Sequence, residues 1–134
     1  AVEWFSKSAE QGNVDAQFAL ATCYEFGVGV EQNYVIAANL YRMAAEQGDA
    51  ESQCVLGNCY QNGQGIQQSY ERAAIWFRKA AEQGHAKAQC LLGYCYQVGQ
   101  GVDKNLEEAI EWYKKAARQD DAHALGRLRE LGVW

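Results

Sequence analysis

The chain has 134 residues and a formal net charge of −5. This acidity argues against nucleic acid or an anionic membrane surface as the partner, because both favour clustered Lys and Arg. An apolar fraction of 49% is that of an ordinary soluble domain, and the apolar runs fall far short of the roughly 20 residues that span a bilayer.

A period of 36 residues organises the chain. The string Ala-Glu-Gln-Gly occupies 9–12, 45–48 and 81–84, and a degenerate copy, Ala-Arg-Gln-Asp, occupies 117–120. The same offset relates three further sets of residues: Trp4/Leu40/Trp76/Trp112, Cys23/Cys59/Cys95 and Tyr24/Tyr60/Tyr96. A fixed period of this length indicates stacked structural repeats.

The chain begins with a predicted partial helix over residues 1–12, a copy of a helix that recurs later. Helix A of the first repeat follows from about Asp15 to Phe26, because its apolar residues fall on one helical stripe. Helix B of the same repeat is predicted over 34–47. Each repeat is therefore a pair of helices.

The later repeats copy this layout at the same offset. Helix A begins again near Glu51 and Lys87, and helix B recurs over about 70–83 and 106–119. Glycine follows helix B at equivalent positions, where a left-handed residue can close the last carbonyl groups: Gly12, Gly48 and Gly84. The predicted N-caps are Asn13, Asp49 and Asp121 for helix A, with His85 at the fourth such position, and Asn33, Ser69 and Asn105 for helix B.

Two short helices cannot bury their apolar faces alone, so the repeats are expected to stack into one domain over 1–134. Its parts are the leading helix at 1–12, repeats at about 13–48, 49–84 and 85–120, and a capping helix at 121–134. Ala21, Gly57 and Gly93 are expected to let the helices approach closely. The polar last helix is expected to cap the stack, and the amino end is expected to continue a longer array.

The repeated unit resembles the Sel1-like repeat, a tetratricopeptide-related family of 36-residue helix pairs. The residues that carry the resemblance are Ala-x-x-Trp-Phe-x-Lys-Ala-Ala-Glu-Gln-Gly-x-x-x-Ala-Gln-x-x-Leu-Gly-x-x-Tyr-x-x-Gly-x-Gly-Val, which cover essentially the whole chain. The resemblance implies an all-α, right-handed α/α superhelix that acts as an adaptor in protein complexes. It implies no shared catalytic residues, and bacterial members are often linked to host interaction, signalling or secretion.

The five cysteines are expected to be free thiols. Equivalent positions in successive repeats lie about 9–10 Å apart, the distance between packed helices, whereas a disulfide needs Cα atoms within about 7 Å. Cys23, Cys59 and Cys95 are predicted as small core residues. The cysteine-rich bacterial relatives that the resemblance suggests staple their helix pairs with disulfides, but the positions here do not follow that plan.

No catalytic residue, metal site or cofactor is predicted. Zinc needs ligands at a compact spacing such as Cys-x₂-Cys, which the chain lacks. The Gly-x-Gly loops recur between helices and follow no strand, so they are connectors and not phosphate loops. One alternative function stays open, a cysteine-dependent enzyme or thiol redox sensor that uses Cys54 or Cys90, for which an accessible thiol of low pKa would be required.

The candidate binding surface is the side of the A helices that varies between repeats. Core positions recur every 36 residues, whereas the residues on the other side of each A helix do not. The A helices line the concave wall of such a superhelix. The predicted partner-binding residues on this concave face are Phe18, Thr22, Glu25, Asn58, Gln61, Asn62, Tyr94 and Gln97.

These residues predict a protein–protein interaction scaffold. The amide side chains suit the backbone of an extended peptide, and Phe18 and Tyr94 suit apolar anchors. The expected partner is a protein or peptide, and the chain is expected to be a monomer that inserts in no membrane. A narrower version is a bacterial immunity- or effector-associated adaptor, with a cytoplasmic location favoured over a periplasmic or secreted one.

Overall fold

A computed structural model describes residues 2–134, and their regular structure consists of α-helices. The helices are α1 (Val2–Glu10), α2 (Val14–Phe26), α3 (Tyr34–Glu46), α4 (Ala50–Asn62), α5 (Tyr70–Glu82), α6 (Ala86–Val98), α7 (Leu106–Ala117) and α8 (Ala122–Glu130). Residue 1, with which the predicted leading helix begins, lies outside the described range. The all-α prediction is confirmed. Within the described residues the predicted helix ends lie within two residues of the observed ones, except that the capping helix, predicted to extend to 134, ends at Glu130.

The helices pair and stack as the predicted right-handed α/α superhelix. The even-numbered helices are the A helices and the odd-numbered ones are the B helices. Each helix packs chiefly against its neighbours along the chain, with the largest contacts inside the pairs α2–α3, α4–α5 and α6–α7. No helix of residues 2–134 combines the length and the apolar character that crossing a membrane requires.

Side-chain caps start the A helices, as predicted. Asn13 Oδ1 accepts from the Ala16 N–H at 2.9 Å, and Asp121 Oδ1 accepts from the Ala124 N–H at 2.9 Å. His85 also caps its helix, because its Nδ1 accepts from the Ala88 N–H at 3.2 Å. With Nδ1 acting as acceptor, the ring proton sits on Nε2, which lies 2.6 Å from Glu51 Oε2.

The Gly-x-Gly loops are set by close approach of each loop to the helix B of the repeat before it. A Cβ at Gly65 would collide with the carbonyl group of Tyr34, and a Cβ at Gly101 would collide with that of Tyr70. Both glycines also have positive φ, of 74° and 79°. The loop therefore accepts glycine alone at this position, which explains the recurrence of the motif.

The core is continuous through the stack, and its largest fully buried side chains come from both kinds of helix: Leu56, Phe77, Leu92, Tyr113 and Leu128. Gly57 lies against Phe77, where an added Cβ would be 2.6 Å from the ring. Gly93 lies against Tyr113 in the same way, at 2.8 Å. The predicted close approach at these two glycines is confirmed, and it brings helix B of the second and third repeats onto helix A of the same repeat.

A ladder of buried glutamines, which the sequence did not predict, links α2, α4 and α6 each to two B helices. Gln53 is 5% exposed, donates through Nε2 to the Ala45 carbonyl at 3.1 Å, and accepts through Oε1 from Gln83 Nε2 at 2.8 Å. The same pair of bonds recurs at the equivalent residues Gln17 and Gln89. A polar side chain is tolerated inside the core because both ends of its amide group are paired.

Candidate partner-binding face

The eight predicted binding residues lie on the A helices α2, α4 and α6. Seven of them are half-buried, and Asn62 alone among them is exposed. The surface is therefore partly committed to contacts inside the chain, and those contacts divide the eight residues into groups.

Phe18, Thr22 and Glu25 gather around Tyr41 of the following B helix. The Phe18 and Tyr41 rings meet edge to face with their centroids 5.5 Å apart. The Tyr41 hydroxyl lies 3.2 Å from Thr22 Oγ1 and donates to Glu25 Oε1 at 2.7 Å. Burial, with the Glu25 carboxylate adding to it, raises the pKa of Tyr41 well above its usual range. These three residues hold the first repeat together as well as bordering the face.

Gln97 has the same relation to Tyr113 as Glu25 has to Tyr41, because it accepts from the Tyr113 hydroxyl at 2.6 Å. In the middle repeat the equivalent B-helix residue is Phe77, which has no hydroxyl group. Gln61 instead donates through Nε2 to Gln100 Oε1 at 3.0 Å, across to the loop of the next repeat. The middle of the face therefore has an amide that no buried tyrosine holds.

A pocket of about 340 Å³ opens beside Gln61, and it is called the A-face pocket below. Three successive A helices line it with these side chains: Gln61 from α4, Lys87, Cys90, Leu91 and Tyr94 from α6, and His123 and Arg127 from α8, together with Asp121, the N-cap of α8. The Arg127 guanidinium carbon lies 5.0 Å from the centroid of the Tyr94 ring, a cation–π contact that orders both side chains. The pocket thus combines apolar, amide and charged groups.

Of the predicted residues, the structure brings Gln61 and Tyr94 together in this pocket. Asn58 and Asn62 lie on the same helix as Gln61 but do not line the pocket. The sequence did not predict the contribution of α8, because the polar character of that helix indicates a terminal cap. Its residues His123 and Arg127 stand 36 positions after Lys87 and Leu91, so the repeat period contained the signal.

The cysteines are unpaired in the structure, and the surroundings of Cys54 and Cys90 disfavour their thiolate forms. Burial raises the pKa of Cys54 to about 12, while Lys87 lowers it and Glu51 raises it by smaller amounts. Burial also raises the pKa of Cys90 to about 11, with the Asp121 carboxylate adding to the effect. A reactive thiol needs a shift in the opposite direction. Within residues 2–134, no group of three metal-binding side chains is clustered.

Comparison with known proteins gives a family and a set of similar structures. The family model described as Sel1 repeat matches residues 1–13, 14–49, 50–85 and 86–121. The comparison with curated proteins gives no match.

Three solved structures of bacterial proteins illustrate the likeness in fold. A protective antigen of uropathogenic Escherichia coli that displays an SLR fold is 40% identical, with a TM-score of 0.92 over 97% of this chain and 28% of its own. A Sel1 repeat protein from Oxalobacter formigenes is 46% identical, with a TM-score of 0.82 over 85% of this chain and 47% of its own. Cysteine rich protein B of Helicobacter pylori is 26% identical, with a TM-score of 0.73 over 96% of this chain and 92% of its own. The chain spans less than half the length of the first two.

Proposed function

Because the chain belongs to the Sel1 repeat family, whose members generally serve as protein–protein interaction scaffolds, we propose that it binds a protein or peptide on the face formed by α4, α6 and α8. We take this face as the concave side of the superhelix. The partner inserts a side chain into the A-face pocket and extends along the A helices toward Phe18.

The A-face pocket is the observation that carries this proposal. Tyr94 and Leu91 give it an apolar wall, and the Gln61 amide can pair with the backbone of an extended chain. Side chains that anchor protein interfaces fill pockets of this kind, with aromatic residues and Arg among the strongest contributors. Asn58, Asn62 and Gln97 continue the polar surface beside it.

The test is a pair of double variants with the same composition. Gln61→Ala with Tyr94→Ala removes an amide and an aromatic ring from the A-face pocket. Gln11→Ala with Tyr70→Ala removes the same groups from exposed positions away from it. Immobilised wild-type chain is expected to retain a partner from a lysate of the source cells, identified by mass spectrometry. The first variant should weaken binding of that purified partner by more than about tenfold, since an anchor residue contributes at least about 2 kcal/mol.

Two results would contradict the proposal. Equal binding by both double variants, with unchanged helical circular dichroism, would place the interface elsewhere. Failure of the wild-type chain to retain any protein above a bead control would remove the scaffold function itself. The identity of the retained protein also decides the narrower hypothesis of an immunity- or effector-associated adaptor.

We propose no enzymatic role for the chain. Cys54 is 2% exposed and Cys90 is half-buried, and burial raises the pKa of both thiols. A cysteine nucleophile or redox sensor works through its thiolate, so these surroundings disfavour the alternative function.

A further inference from the structure

A second pocket, of about 440 Å³, lies between the B helices α3 and α5 and is called the B-face pocket here. Three cations line it, Arg42 from α3 with Arg72 and Lys79 from α5, against one carboxylate, Glu46. An adjoining pocket of about 360 Å³ shares Arg42, Tyr60 and Arg72 with it. In a chain whose net charge is −5, this local excess of positive charge is unusual.

Aromatic groups hold the three cations. Arg42 Nη2 donates to the Tyr60 hydroxyl at 3.5 Å, and the Arg72 guanidinium carbon lies 6.0 Å from the Tyr60 ring centroid. Lys79 Nζ lies 4.9 Å from the centroid of the Trp76 ring. Within residues 2–134 the ion pair between charged side chains is Arg127–Glu130, so none of these three cations forms an ion pair with a carboxylate. An aromatic partner orients a cation without cancelling its charge.

The positions equivalent to the B-face pocket around Tyr24 and Tyr96 lack this excess of positive charge, so the charge is not a consequence of the fold. Around Tyr24, a pocket of about 360 Å³ has Ser6, Ile36 and Met43 where the B-face pocket has its cations, and it keeps one carboxylate, Glu10. Around Tyr96, the equivalent positions hold two cations and three carboxylates: Arg78, Lys115, Glu82, Glu108 and Glu111. The middle repeat alone among the three has an excess of positive charge at these positions.

We infer that the B-face pocket binds the phosphoryl group of a phosphate monoester. Such a group carries a charge of about −1.5 to −2 at neutral pH and offers three acceptor oxygens, which matches three cations partly offset by Glu46. Guanidinium groups suit it because their parallel N–H donors fit pairs of phosphate oxygens. Ile75 and Trp76 supply an apolar wall for the organic part of the ester. The site shares no residue with the A-face pocket and does not rest on the proposed function.

The test is an NMR titration of the whole chain at low salt, following the Nε–H signals of Arg42 and Arg72 and the indole N–H of Trp76. The probes are inorganic phosphate, phenyl phosphate and the dicarboxylate glutarate. We expect saturable shifts of these signals, with phenyl phosphate binding more tightly than inorganic phosphate because its ring contacts Ile75 and Trp76. Tighter binding of glutarate than of either phosphate would overturn the phosphoryl assignment and indicate an acidic peptide.

Two charge-matched triple variants test the location of the site. The first variant combines Arg42→Gln, Arg72→Gln and Lys79→Gln. It should weaken phenyl phosphate binding by more than about tenfold, since one charge-assisted hydrogen bond accounts for roughly that factor. The control variant combines Lys7→Gln, Lys104→Gln and Arg118→Gln. It removes the same charge from exposed positions elsewhere and should leave the affinity for phenyl phosphate nearly unchanged. Equal weakening in both would mean that the anion responds to net charge alone, and the site would be refuted.

A gain of binding gives an independent test that does not depend on the stability of the triple variant. Glu108→Arg with Glu111→Ile makes the seven positions around Tyr96 identical to those of the B-face pocket. We expect a second phenyl phosphate to bind, with new saturable shifts at Arg78 and at the Trp112 indole. A well-folded double variant that still binds a single equivalent would overturn the assignment of these residues as the determinants of binding.

Discussion

At Cys54, burial outweighs two charged neighbours of opposite sign. Lys87 favours the thiolate and Glu51 disfavours it, but removal from water is the largest influence and raises the pKa to about 12. Cys59 and Cys95 are also buried, and burial raises the pKa of each to about 11. The thiols therefore act as small core side chains and couple the stability of the chain to alkaline pH.

The Cys54→Ala variant tests this coupling. An unfolded thiol ionises near pH 9, whereas folded Cys54 keeps its proton until about pH 12. Between these values the unfolded chain binds fewer protons, so the free energy of unfolding falls as pH rises, by at most about 1.4 kcal/mol per pH unit for this group. Urea unfolding at about pH 8, 9.5 and 11 should show a shallower fall for Cys54→Ala than for the wild-type chain.

Val55→Ala is the matched control for this measurement. It shortens a half-buried neighbour without removing a titratable group, so it should lower stability by a similar amount at every pH and keep the wild-type slope. A wild-type slope in Cys54→Ala would show that the thiol ionises alike in both states.

At the scale of the helix pair, a glycine sets how closely α4 and α5 pack. Gly57→Ala should place a methyl group 2.6 Å from the buried Phe77 ring and cost about 1–3 kcal/mol of unfolding free energy through overpacking. Gly126→Ala is the same change in α8, where an added Cβ meets nothing within 4 Å, and it should add up to about 1 kcal/mol through helix propensity. Urea unfolding gives the free energy of unfolding of both variants. A change in the same direction in both would contradict this account.

The helix pairs were predictable from the sequence, because the 36-residue period, the glycines and the caps all follow from local rules. The contacts between helices were less predictable from the sequence. Helical spacing indicates which side of α2 holds Glu25, but not that the Tyr41 hydroxyl of another helix reaches it. Gln53 looked like an ordinary polar helix residue, because its burial depends on carbonyl and amide partners from two other helices. For the same reason the predicted binding face did not include α8, since a pocket is formed by several helices together.

For the whole molecule, contacts between chain neighbours imply that stability is distributed locally. Buried clusters overlap along the stack, but the one containing Leu128 involves α6, α7 and α8, and the one containing Leu20 involves the first repeats. In such a linear array, each unit is stabilised by itself and by its immediate neighbours. A partner bound across α4, α6 and α8 would therefore stabilise that end of the chain more than the first helices.

Hydrogen exchange of two leucine variants tests this local coupling. Leu128→Ala should cost about 2–5 kcal/mol at its site, because it opens a cavity in the last cluster. We expect faster amide exchange in α7 and α8, with exchange in α2 and α3 close to that of the wild-type chain. Leu20→Ala should have the opposite effect, with faster amide exchange in α1 to α3 and little change in α7 and α8. If either substitution accelerated exchange equally in all these helices, the chain would unfold as a single cooperative unit, and a partner on one end would stabilise every repeat alike.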